Sequence, residues 1–150
     1  MPVPGDYDGD GRTDPAVYRP SNGYWFALLS STNYASVIID QWGLSSDVPV
    51  VGDFDGDGKT DFAVFRPSIG TWYLKMTTFW YSPSRTLAKQ YGLSTDIPVA
   101  ADYDGDGHTD ITVFSAATGG WFILKSSTDY SAYMTFTWGS SGDRPLPGGR

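Results

Sequence analysis

The 150-residue chain has no cysteine, no glutamate and a single histidine, His108. Without cysteine, neither disulfides nor thiolate metal sites are available. With one imidazole a histidine-rich zinc centre cannot be assembled, and Ser30-Ser31-Thr32 and Ser126-Ser127-Thr128 show no Ser-His-Asp complement when that one histidine is read as a loop residue, so no enzyme is expected. His108 itself reads as an exposed loop residue. No apolar run approaches the 18 residues of a membrane-crossing helix, so no membrane insertion is expected. The ten Lys and Arg residues are scattered, and at a pI near 4.3 nucleic acid is not an expected partner.

What the chain has is aspartate. All 17 acidic residues are Asp, and twelve of them fall in three nine-residue loops at 6–14, 53–61 and 102–110, each written Asp-x-Asp-Gly-Asp-Gly-x-Thr-Asp. Alternate carboxylates along a tight loop converge on one point, the sixth-position glycine permits the turn, and the seventh residue's carbonyl offers another oxygen. This spacing suits a hard divalent cation, calcium before magnesium, because magnesium keeps more water and takes fewer protein ligands. The alternative is a set of Asp-Gly turns capped by their own side chains. One divalent cation per loop would bring the formal charge from −7 to about −1, whereas the metal-free loops repel internally.

The loop opens a longer repeat, since its first Asp recurs after 47 and then 49 residues. Apolar segments follow it at Pro15–Tyr18, Phe62–Phe65 and Ile111–Phe114, then turns at 19–23, 66–70 and 115–119. Aromatic strand candidates come next at Tyr24–Leu28, Thr71–Leu74 and Gly120–Leu124, with Trp25, Trp72 and Trp121 each 11 residues after the loop's last Asp. A further strand is expected within 36–42, 85–91 and 133–138, and the unit closes on Asp47-Val-Pro, Asp96-Ile-Pro and Asp143-Arg-Pro. No stretch has helical periodicity. The expectation is one all-β repeat domain of four-stranded antiparallel propeller blades, with units at about 2–47, 48–96 and 97–143 and a stub of a fourth at 144–150. Three blades are fewer than the usual four of a closed ring, so a six-bladed homodimer or a larger propeller would complete it. The three tryptophans are expected to be blade packing, and Arg19 and Arg66 to pair with a loop Asp or to contact a ligand.

The three Asp-rich loops, each entering an apolar strand, resemble the FG-GAP or VCBS repeats of integrin-like propellers and many secreted bacterial proteins. An EF-hand does not fit, because position 12 is Val17, Val64 or Val113 where a Glu is required. A dockerin-like module does not fit either, since Pro15 and Pro20 oppose a following helix. The resemblance implies propeller blades with calcium between the first two strands, about three ions per chain. The implied ligands are Asp6, Asp8, Asp10, Asp14 and the Arg12 carbonyl; Asp53, Asp55, Asp57, Asp61 and the Lys59 carbonyl; and Asp102, Asp104, Asp106, Asp110 and the His108 carbonyl.

The leading functional expectation is a non-catalytic, calcium-stabilised structural or interaction module. Extracellular calcium fills weak all-oxygen sites that cytosolic calcium leaves empty, which points to secretion. Met1 runs straight into Pro-Val-Pro-Gly, and the expectation is that a leader has been removed or that the chain is excised from something larger. A second expectation is a repeat lectin, in which exposed aromatics such as Tyr34, Trp80, Tyr81 or Tyr130 stack on sugar rings, foremost Trp80 and Tyr81 in the two-residue expansion of the second unit. A third is a propeller fragment whose partner is another copy of itself, with the homodimer favoured.

Overall fold

The structure, a computed structural model, describes residues 1–77 and 85–146. Trp80 and Tyr81 lie outside the described residues. Eleven strands run in chain order: β1 (Ala16–Arg19), β2 (Tyr24–Leu28), β3 (Val37–Gln41), β4 (Val48–Gly52), β5 (Asp61–Arg66), β6 (Thr71–Lys75), β7 (Thr86–Gln90), β8 (Ile97–Pro98), β9 (Ile111–Ser115), β10 (Gly120–Leu124) and β11 (Tyr133–Thr137). They form three antiparallel meanders, β1-β2-β3, β4-β5-β6-β7 and β8-β9-β10-β11. Helix is limited, among the described residues, to single 3-10 turns at Ser30–Thr32, Pro67–Ile69 and Ser126–Thr128.

The first sheet has three strands where four are expected. Its fourth segment is residues 1–5, which touch β1 and the loop end through isolated bridges at Pro2↔Val17 and Gly5↔Asp14. The ladder bonds still form, with the Val3 N–H donating to the Ala16 carbonyl at 3.0 Å and the Tyr18 N–H to the Met1 carbonyl at 2.8 Å. Only the odd residues of this segment bond to its neighbour. Pro2 and Pro4 fall on the side facing the open edge, where a missing N–H costs nothing and gives a foreign strand no donor. Pro49 and Pro98 hold the matching place in β4 and β8.

Strand chemistry reflects how many faces each sheet buries. In β6, Trp72 and Leu74 are fully buried while Thr71, Tyr73 and Lys75 are partly exposed, the alternation of a half-covered strand. In β5 all of Asp61–Phe65 is buried, because a sheet lies on each side of it. In β1 only Ala16 and Tyr18 are buried and Val17 faces outward.

The apolar core is accordingly two layers between three sheets. One joins Tyr7, Tyr18 and Trp25 of the first unit to Phe62 and Val64 of the second. The other joins Phe54, Phe65 and Trp72 to Ile111, Val113 and Tyr130. Trp25 and Trp72 fill these layers, as expected, and each indole N–H is satisfied by the carbonyl of the next strand's end, Trp42 at 2.8 Å and Tyr91 at 3.0 Å.

Arg19 and Arg66 do not pair with the acidic loops among the described residues. Arg66 makes a two-pronged ion pair at 2.8 and 2.9 Å with Asp47, whose side chain is fully buried, and stacks on Tyr73. Asp47 is the Asp of the unit-closing Asp-Val-Pro segment, so this pair ties the connection between the first two sheets to β5. Arg19 instead lies over the Phe26 ring at 4.5 Å.

Candidate metal centres

Each acidic loop is wound by its own carboxylates. In the first loop, Asp6 accepts from the Gly9 N–H at 2.7 Å and the Gly11 N–H at 2.8 Å, and the same two bonds recur on Asp53 and on Asp102. The two glycines sit at positive φ, for example 76° at Gly56 and 84° at Gly58, where a side chain would strain the backbone. The last Asp is also engaged: Asp14, Asp61 and Asp110 are buried, and each accepts from the N–H of the loop's second residue at 2.8–2.9 Å. Their other oxygen accepts from the Ser30, Thr77 and Ser126 N–H groups at 2.7 Å, fastening the loop to the end of the second strand.

The capped-turn alternative therefore describes positions 1 and 9 in part. It does not describe position 3 of the second loop. Both carboxylate oxygens of Asp55 are buried and have no hydrogen-bond partner, and one oxygen of Asp104 is in the same state among the described residues. A buried carboxylate without a partner is costly unless a cation neutralises it.

The carboxylates come together in groups of three, with one oxygen from each residue lying within 4.8 Å of the others. Two groups are positions 1, 3 and 5: Asp6, Asp8 and Asp10, then Asp53, Asp55 and Asp57. The third is Asp102, Asp104 and Asp110, leaving Asp106 outside it. Asp14 and Asp61 are not in the first two groups. These clusters can hold metal ions, and their donors are all hard oxygens.

At the second loop two carboxyls are pushed up. Burial pushes the Asp55 carboxyl above the ordinary range and the charges of Asp57 and Asp53 push it further, with the Asp57 N–H dipole and His108 opposing. Burial also raises Asp61, to about 7, with the Asp55 charge adding and the N–H groups of Phe54 and Thr77 opposing. At Asp10 desolvation is outweighed by the Arg12 guanidinium, which bonds it at 2.6 and 3.0 Å, together with the Arg12 N–H and the Ser30 hydroxyl, and its carboxyl is held low.

Asp61 makes the metal-free protein sensitive to pH in a defined direction. Its folded-state value lies above the unfolded 3.8, so the native state holds the proton more tightly and stability falls as pH rises from about 4 to about 7. In urea titrations with excess chelator, the unfolding midpoint is expected to be higher at pH 5 than at pH 8, by a difference on the order of 1–3 kcal/mol. A flat profile, or a rise with pH, would contradict the burial of an uncompensated Asp61.

Two supporting features were not recognised in the sequence. The serines of Ser30-Ser31 and Ser126-Ser127 brace the loops: Ser31 Oγ donates to Asp8 at 2.6 Å, Ser127 Oγ to Asp104 at 2.5 Å, and Ser30 Oγ to Asp10 at 2.9 Å. Their constant place, 16 residues after the last Asp and shared by Thr77, was the available signal. The second is the seventh residue's side chain. His108 is partly buried rather than exposed, and its imidazole lies on the preceding loop, where a Cβ at residue 56 would come within 2.4 Å of Nε2. Lys59 lies on Gly9 in the same way, at 3.1 Å from that position. Consecutive loops thus touch.

Three repeated sheets, each with an Asp-rich loop leading into β1, β5 or β9 and each stacked on the next, define a protein built of propeller-type blades. The chain belongs to the FG-GAP-like repeat family, whose profile matches residues 6–64 and again residues 53–113. Each match runs from one acidic loop through the β-strand that follows the next. No curated protein and no solved structure matches the chain.

Proposed function

We propose that each acidic loop binds one calcium ion and that the calcium-locked blades serve as a non-catalytic structural and interaction module outside the cell. The observation that carries this reading is Asp55, with both oxygens buried, no hydrogen-bond partner, and two further carboxylates beside it. Such a group does no work in the metal-free fold and is suited to a cation ligand. The family resemblance supports calcium in this loop, and three divalent ions would nearly cancel the formal charge of −7.

The role of the metal is mechanical. It would neutralise carboxylates that otherwise repel, and hold the loop that joins the inner strand to the second strand of each blade. Loops at positions 1 and 9 are already formed by backbone N–H bonds, so the ion would find a partly organised cradle. Carboxylates used in this way are not available as acid-base groups, which supports a module without catalysis. Millimolar calcium outside cells would keep sites of modest affinity filled.

Asp55→Asn tests the reading. It is expected to lower the bound calcium, measured by elemental analysis after gel filtration, from about three ions per chain to about two. It should also raise the melting temperature of the chelated protein by several degrees, because a buried unpaired charge worth about 1–3 kcal/mol is removed. Unchanged calcium content in this variant would refute the second loop as a site.

A further inference from the structure

We infer that the two end faces of this three-blade array are the halves of one more blade-to-blade interface, and that a second copy of the chain occupies them to give a six-bladed closed dimer. The two internal interfaces show what such a contact consists of. The first blade presents Tyr7 and Trp25, and the second covers them with Phe62 at 5.5 and 5.2 Å and with Val64. The second blade presents Phe54 and Trp72, and the third covers them with Ile111 and Val113.

The outward faces repeat these positions without a cover. Val17, in the register of Val64 and Val113, is 49 % exposed where they are 0 and 1 %. Pro15 stands exposed in the place of Phe62. At the other end Trp121, counterpart of Trp25 and Trp72, is partly exposed, and Trp138 is 77 % exposed. Tyr34 and Tyr130 make the same point at a single residue type. Both have positive φ after the 3-10 turn, but Tyr130 is buried with its hydroxyl shared between the Thr109 carbonyl at 3.0 Å and the Phe54 carbonyl of the preceding blade at 3.2 Å, whereas Tyr34 is 51 % exposed.

A second copy fits because the pairs at the end faces are chemically matched. The Asp47–Arg66 ion pair of the first junction has Asp143 and Arg19 in the same register at the two ends, and Arg19 has no Asp partner within the chain among the described residues. The Asp40–Lys75 ion pair has Phe136 and Leu28 in its place, both exposed and both apolar. Trp42 donates its indole N–H across the first junction to the Tyr73 carbonyl at 3.1 Å, and Trp138 and Phe26 hold those positions at the ends. Charge therefore meets charge and apolar meets apolar. The segment after Asp143 repeats the register of residues 2–6, and in a second copy that place beside β1 is held by its own residues 1–5.

One position departs from the pattern. Gly5 and Gly52 lie under the next unit's Thr60 and Thr109, which leave no room for a Cβ, with side-chain atoms at 2.5 and 2.6 Å from where it would stand. The third unit carries Ala101 there, so a docking Thr13 must change rotamer. Two copies closing at both ends give six blades, within the range of known rings of four to eight.

Analytical ultracentrifugation of the calcium-loaded protein is the test. A dimer of twice the 16.4 kDa chain mass is expected. Val17→Glu and Trp138→Glu, which change exposed residues on opposite faces, should each yield folded monomer, judged by unchanged circular dichroism. Ala101→Gly should lower the dimer dissociation constant several-fold. A wild-type monomer at 100 μM, a trimer or filament, or dimers that persist in both charged variants would each overturn the inference.

Discussion

Chelation of divalent cations is expected to lower the melting temperature by about 15–30 °C at neutral pH. Each site held at about one hundred times its dissociation constant contributes roughly 2.7 kcal/mol of linkage, and three such sites about 8 kcal/mol. For a chain of this size each kcal/mol moves the midpoint by about 2–4 °C. The structural reason is concentrated at the second loop, where Asp55 is buried without a partner and Asp61 is raised to about 7 by burial. Differential scanning calorimetry with and without chelator measures the shift, and restoring calcium should reverse it. Lowering the pH of the chelated protein to about 5 should recover part of the loss, since protonation then removes the buried charge of Asp61. An identical midpoint with and without chelator would remove the metal reading altogether.

Trp72→Ala is expected to cost about 4–6 kcal/mol, enough to lower the midpoint by roughly 10–20 °C. Trp72 is fully buried between the second and third sheets, lies against Phe65 at 5.5 Å, and satisfies the Tyr91 carbonyl at 3.0 Å. Truncation leaves a large cavity at a place both neighbouring sheets define, and an unmet carbonyl beside it. Val17→Ala, on an exposed face of the first sheet, should change the stability of the monomeric protein by less than about 0.5 kcal/mol. Urea unfolding of the two variants under calcium gives the comparison. A loss below about 1 kcal/mol at Trp72 would mean that the sheets do not depend on their shared layer.

The acidic loops and the strands were legible because each is a local pattern. The Asp spacing, the alternation in Thr71–Lys75 and the constant distance from the last Asp to Trp25, Trp72 and Trp121 are properties of a short stretch of chain, and three copies in register separate them from accident. Pairings between stretches were not legible. Arg66 and Asp47 are 19 residues apart, and nothing in the local sequence distinguishes Asp47 from the loop carboxylates as the partner. His108 looked exposed because an isolated loop is exposed, and only the stacking of sheets brings the preceding loop beneath it. The bracing serines stood outside every metal-ligand spacing, since their hydroxyls reach the loop from the end of the second strand.

The sequence by itself determined an all-β repeat with three acidic loops, because strand formation, turn geometry and carboxylate spacing depend on neighbours in the chain. Tertiary structure alone decided which carboxylates do which work. Positions 1 and 9 are drawn into backbone hydrogen bonds, while Asp55 is sealed away from both water and donors. It also decided which faces of the sheets are covered, since burial of Val64 and Val113 and exposure of Val17 distinguish the same residue in the same register. Side-chain identity is written locally, but desolvation and contact belong to whichever surface the next sheet brings against it.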